Sequence, residues 1–162
     1  MSSDLAQAIV NQAKQDLRED LLPKLYRCLE LLSDEEIWWR ANENTNSVGN
    51  LILHLCGNVR QWITSGLGQQ PDTRQRDKEF TERGPVPCDE LMYRLEETIE
   101  EAIEVLDDLQ PQTFLNQHSI QVYEVTGVHA ILHVLQHFAY HTGQIIYMTR
   151  MTKNIDLKFY QL

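Results

Sequence analysis

A chain of 162 residues can bury a sizeable core without disulfide or metal staples, and it reads as one domain over 1–162. Its 14 basic and 24 acidic residues leave a net charge of -10 with no basic run to follow a phosphate backbone, which argues against nucleic acid and anionic membranes as partners. There is no apolar run of about 18 residues and no signal-peptide pattern, and Cys28, Cys56 and Cys88 fit neither a disulfide framework nor a zinc knuckle, so a cytoplasmic protein with reduced thiols is expected.

From residue 4 to 32, Leu5, Ile9, Ala13, Leu17, Leu21, Leu25, Leu29 and Leu32 recur at the spacing of a helix with one buried stripe. Pro23 lies inside it. Proline removes a donor and crowds the preceding turn, so a kink or brief break is expected. Ser33 with Glu36 forms a capping signature that opens a short helical turn ending at Trp38 and Trp39, of which one should close the core and the other cover a loop or a partner chain.

After the polar linker 41–47, Ser47 or Asn46 caps a helix running from Val48 to about Thr64. Val48, Leu51, Ile52, Leu55, Val59, Trp62 and Ile63 form its apolar stripe. Asn50, His54, Asn58 and Gln61 form a polar row displaced by about 110°, at the edge of the core. Cys56 is turned away from the His54 imidazole.

The Gly- and Pro-rich stretch from Ser65 to Pro87 is a long connection, of the kind needed when successive helices of a bundle point the same way or when a loop covers a site. Arg74, Arg76, Asp77 and Glu79 read either as an internally paired solvated surface or, with Phe80 anchoring the loop, as arginines held over a pocket to bind an anionic group. Cys88 reads as a turn residue, although a thiol at a helix start can have a lowered pKa. Asp89 is the expected cap of a third helix, Glu90 to Leu109, whose glutamates face solvent. Residues 112–125 suggest a small hairpin or extended connection, with His118 exposed, and the tail ending in Phe159 and Tyr160 is expected to pack across the bundle or at a dimer contact.

The last helix, capped by Thr126, carries His129, His133, His137 and His141 at intervals of four. Its core stripe is read as Val128, Ile131, Leu132, Leu135, Phe138, Ala139, Thr142, Ile145, Ile146 and Thr149. Relative to that stripe His141 lies about 95° and His137 about 135° away, whereas His133 is almost opposite the core and His129 faces outward. His137 and His141 can therefore meet His54 across a groove. Three imidazoles with water in the remaining positions suit zinc or nickel and a Lewis-acid role, the alternative being surface histidines on a long amphipathic helix. No H-E-x-x-H string supplies a glutamate base.

The strings His54-Leu-x-Gly-Asn58, Arg74-x-Arg-Asp-x-Glu-Phe80 and His137-Phe-x-x-His-x-Gly-Gln-Ile145 resemble those of the DinB-like family of metal-binding helical proteins, along the whole chain. The resemblance implies an all-α four-helix bundle of up-down-down-up topology with its long connection between helices 2 and 3. It also implies a homodimer and one divalent ion on His54, His137 and His141. Better characterised relatives of the superfamily are transferases and isomerases that use low-molecular-weight thiols such as bacillithiol or mycothiol; this sequence is closer to a branch without an assigned reaction.

The functional expectation is a metal-dependent enzyme in which the ion activates such a thiol against a small electrophilic substrate. Arg74 or Arg76 would orient a carboxylate, and Asn50, Asn58 and Gln144 would supply polar contacts or support the ligands from behind. A hydrolase using metal-bound water is one alternative. Another is a non-catalytic metal-binding or stress-related protein with a closed site, completed by His133 or a carboxylate.

Overall fold

The computed structural model describes residues 2–159; Tyr160, expected to pack across the bundle or at a dimer contact, lies outside them. The Ser2 hydroxyl accepts from Leu5 N–H and starts α1 (Ser3–Lys14), which passes through a widened π-helical stretch, Gln15–Leu21, into α2 (Leu22–Leu31). Of the kink or brief break expected at Pro23, the break does not occur. The widened turn ahead of the ring, in which Leu22 N–H reaches the Leu17 carbonyl, accommodates the missing donor and the chain stays helical.

Ser33 and Glu36 cap each other's backbone at α3 (Asp34–Trp38), as their spacing implies. Trp38 is half-buried and donates its indole N–H to the Val86 carbonyl at 3.0 Å, whereas Trp39 remains 48% exposed. Ser47 and Asn50 form the same reciprocal cap on α4 (Val48–Val59), which continues through a second π-helical stretch, Arg60–Ser65. The connection that follows holds a short helix that the sequence did not announce, α5 (Arg76–Thr81).

The long α6 (Cys88–Asp108) begins directly after Pro87, earlier than an Asp89 cap would place it. A carboxylate oxygen of Asp34 accepts the Cys88 N–H at 3.0 Å and takes over the capping role from a distance. The glutamates of α6 are not simply solvated, since Arg60 binds Glu97 and Glu101 while Arg18 pairs with Glu100. A two-stranded antiparallel hairpin, β1 (Gln117–Ile120) and β2 (Tyr123–Thr126), buries Ile120 and Val125. It leads into α7 (Gly127–Lys153), whose first turn is capped by the Thr126 hydroxyl.

The all-α core is continuous. Leu17, Leu25 and Leu29 from the first helices meet Ile52, Leu55 and Ile63, then Leu91, Leu95 and Ile99, and finally Phe138 and Ile145 of α7. Each such buried side chain contributes roughly 1.5–3 kcal/mol relative to exposure, so the helices are held by their stripes. Among the described residues no helix is long and apolar enough to cross a membrane.

Candidate metal centre

The histidines are positioned by two helices whose side chains meet in reverse order: His54 against His137, and one turn further on Asn58 against His133. On α7 the buried residues are Gly127, Ala130, Ile131, Val134, Phe138, Thr142, Ile145 and Thr149, so the stripe is rotated from the expected one. Leu132 is 48% exposed and Ala139 is exposed too. The rotation brings His133 in from the outer face: it is half-buried, with its ring stacked on Trp62 at 3.9 Å between centroids. His129 faces outward.

Among the described residues one group of three or more metal-ligating side chains converges, His54, His137 and His141, with ligand atoms within 4.8 Å of one another. The His137 Nε2 lies 3.0 Å from His54 Nε2 and 3.2 Å from His141 Nε2. Nitrogens bound to one zinc-sized ion at about 2.0–2.1 Å stand roughly 2.9–3.4 Å apart, so the two His137 spacings fit a shared ion. The far side of two rings fixes their tautomers. Glu79 Oε2 sits 2.8 Å from His54 Nδ1, and a carboxylate can only accept, so that nitrogen carries the proton and Nε2 presents a lone pair. Gln144 Oε1, 2.7 Å from His141 Nδ1, does the same for the second ring. His137 Nδ1 is buried without a partner, and its ring is held by the neighbouring imidazoles.

Burial, followed by the neighbouring imidazoles, pushes His137 down to about 3, so it stays neutral and able to ligate at any ordinary pH. Burial also lowers His141, against the opposing hydrogen bond of Gln144, and lowers His133, with His129 adding to the effect. Burial would raise Glu79, but the hydrogen bonds from Arg74 and His54 and their charges outweigh it and hold the carboxyl below its usual range.

Of the other residues expected at the site, Arg74 is committed elsewhere. Its side chain is 5% exposed, donates to both Glu79 oxygens at 2.6 and 2.8 Å, and gives a third bond to Gln61 at 2.7 Å. It also lies 3.1 Å from His54 Nδ1, but a guanidinium has only N–H groups to offer, so it serves the carboxylate and not the ring. Arg76 is exposed and lies over the Phe80 ring at 5.0 Å, and Phe80 in turn sits 4.7 Å from the His54 ring. Asn50 is fully buried, and its amide donates to the carbonyls of Glu79 and Glu82, which removes it from contact with a ligand. Asn58 is buried beside His133, with its Oδ1 unpartnered.

Sequence reasoning placed Glu79 in a charged surface string and His133 on the outer face. The one available signal for Glu79 was Gly57, where a Cβ would lie 2.0 Å from Glu79 Oε1. The thiols take no part: burial raises Cys28, takes Cys56 to about 11, and raises Cys88 with help from Asp89, Asp34 and Glu30, overriding any helix-start effect.

Fold and site together define a helical protein with a three-histidine, metal-ligand-type cluster at the meeting of α4 and α7. The chain belongs to the family described as "Protein of unknown function (DUF1572)", which matches residues 4–162. Its fold is DinB-like. It is similar to the solved DinB-like protein of Bacillus subtilis, with a TM-score of 0.69 and 16% identity over 93% of this chain and 98% of that one. A DinB-like protein of Bacillus cereus ATCC 10987 aligns with a TM-score of 0.65 and 14% identity, covering 82% and 85% respectively. At these identities the likeness is one of fold. No curated protein matches the chain.

Proposed function

We propose that His54, His137 and His141 hold one divalent ion, zinc or nickel, and that the protein is a metal-dependent enzyme acting on a small electrophilic substrate with a low-molecular-weight thiol as nucleophile. The observation that carries this reading is the set of Nε2 atoms 3.0 and 3.2 Å apart, with Nδ1 tied down on His54 and His141. An ion so held supplies charge that lowers the pKa of a thiol or water beside it. The protein's own thiols lie outside the cluster and burial raises their pKa, which favours a nucleophile from solution.

A set of three protein ligands favours the enzyme over a closed structural site. The cluster numbers three among the described residues, His133 is stacked on Trp62, and Glu79 is spent on His54 Nδ1 and Arg74. A groove of about 580 Å³, lined by Leu51, Tyr140, Gly143, Gln144 and Tyr147, adjoins His141 through Gln144 and is large enough for a small molecule. With Arg74 committed, Arg76 is the guanidinium available to a substrate carboxylate; among the described residues no carboxylate pairs with it. Gln144 orients the His141 imidazole and lines the groove, while Asn58 supports His133 beside the cluster. The hydrolase alternative uses the same residues with water as nucleophile.

The up-down-down-up arrangement is supported by the descending pairs Lys14–Asp107 and Arg18–Glu100, from α1 and the π-helical stretch after it to α6, and by the reversed order of α4 against α7. Arg60 beside Glu97 and Glu101, with Gly68 beside Val105, gives the ascending order of a parallel pair. Homodimer formation is supported by the exposed Leu132, Tyr140, Tyr147 and Met151 of α7.

Metal analysis of the untagged protein tests the centre: about one ion per chain is expected, lost in His54→Ala and His141→Ala. Unchanged stoichiometry in both variants would overturn it. Loss of free thiol on incubating metal-loaded protein with a panel of electrophiles and thiols tests the chemistry; if no combination turns over while esters or amides do, the hydrolase replaces the transferase.

A further inference from the structure

Helix α5 has six residues, far fewer than an isolated helix needs to persist in water. It is held by a few bonds, and these converge on two side chains of α4. Asn50 donates to the Glu79 and Glu82 carbonyls at 2.9 and 3.0 Å, the Glu79 carboxylate meets His54 Nδ1 at 2.8 Å, and the Phe80 ring packs on His54. Arg74, from the same connection, grips the carboxylate from its other side. The connection and the histidine cluster thus share one hydrogen bond, between Glu79 and the ring nitrogen opposite the convergent Nε2.

We infer that Glu79 is a positioning residue for the cluster, and that docking of α5 and binding of a divalent cation by the three histidines reinforce each other. The inference rests on the metal-binding reading above. A cation on Nε2 draws electron density from the imidazole and makes Nδ1–H a stronger donor to Glu79. The carboxylate, in turn, makes the ring a stronger ligand. Because the coupling is a free energy it is reciprocal: whatever affinity the cation gains from docked α5, docked α5 gains from the cation. Arg76 and Phe80 travel on α5, so the wall they form beside His54 is held more firmly when the cation binds.

Hydrogen exchange of the untagged wild-type protein with and without Zn²⁺ tests the linkage without any mutation. Exchange at residues 69–87 should slow on adding Zn²⁺ while that of α6 stays the same. Chelator-competition titrations should give Glu79→Gln about a 10–100-fold lower Zn²⁺ affinity, with Zn²⁺ no longer slowing exchange at 76–81, although the variant keeps the wild-type helical content. Wild type that binds Zn²⁺ with no change in exchange at 69–87, or Glu79→Gln that binds it as tightly as wild type, overturns the inference and leaves the three-histidine centre standing. Wild type that takes up neither Zn²⁺ nor Ni²⁺ sinks the metal reading and this inference with it.

Discussion

A single methyl group at Gly57 probes whether the Glu79 carboxylate is placed by space as well as by charge. A Cβ there would sit 2.0 Å from Glu79 Oε1 and 2.9 Å from both Glu79 Cδ and Arg74 Nε. Restoring ordinary contact moves the carboxylate by about 1 Å or more, which takes the 2.8 Å bond to His54 beyond the usual limit of about 3.2 Å. Losing a hydrogen bond to a charged group costs about 1.5–3 kcal/mol, and alanine in a helix returns about 1 kcal/mol relative to glycine. The net loss is about 0.5–2 kcal/mol, which at roughly 2–4 °C per kcal/mol for a chain of this size lowers Tm by roughly 1–8 °C. Gly143 on α7 is the control, because nothing lies within 4 Å of the position its Cβ would take. Gly143→Ala should stabilise by about 1 kcal/mol. Thermal unfolding followed by circular dichroism, paired with Zn²⁺ titration, reads both variants. If Gly57→Ala stabilises as Gly143→Ala does and keeps wild-type Zn²⁺ affinity, the reasoning fails.

The raised pKa values of Cys28, Cys56 and Cys88 predict that native protein reacts with a disulfide reagent at pH 8 more slowly than free cysteine, with half-buried Cys88 first; a thiol that outpaces free cysteine contradicts this. His137 is neutral in the fold down to about pH 3 but titrates near 6.5 when unfolded, so the metal-free protein should hold full stability above about pH 6.5 and lose it as pH falls toward 3. The lowered Glu79 acts in the same direction further down, as pH falls below about 4.5; a urea midpoint that is equal at pH 7.5 and 4.5 would refute the His137 account. His133→Ala should keep one Zn²⁺ per chain while changing Trp62 emission, since the ring stacks on Trp62 without belonging to the cluster; loss of the ion would make it a ligand. Phe138→Ala, at 1% exposure, should cost about 3–5 kcal/mol in urea unfolding.

The helices were legible because their apolar stripes decide them. Ser33, Ser47 and Thr126 marked three helix starts correctly, each accepting from the backbone three residues on. The convergence of His54 with His137 and His141 agrees with the ranking of each imidazole against its own stripe, which left surface histidines open, and with what the family resemblance implied. What failed was the phase of α7. Leu132 and Ala139 counted toward the stripe, yet they face outward beside the exposed Tyr140 and Tyr147, and their weight turned the expected core away from His133. Arg74 and Glu79 were out of reach for another reason. A charged string in a connection reads the same whether solvated or folded back into a buried pair, and that choice is made by contacts on α4.

The widened turn at Arg60–Ser65 has a consequence for alignment. Side chains four apart on a regular α-helix advance by about 40° per step, so a column such as His54, Asn58 and Trp62 drifts off its partner within two steps. A turn with more residues per revolution takes up that drift, and Trp62 stays beneath His133 while Gln61 remains within reach of Arg74. Helix α7 has no such correction, and its histidine column winds from solvent at His129 to the cluster at His137 and His141. Removing one residue from 60–65 would leave a sound helix whose far end points the wrong way, an error of orientation that no measure of helical content would register.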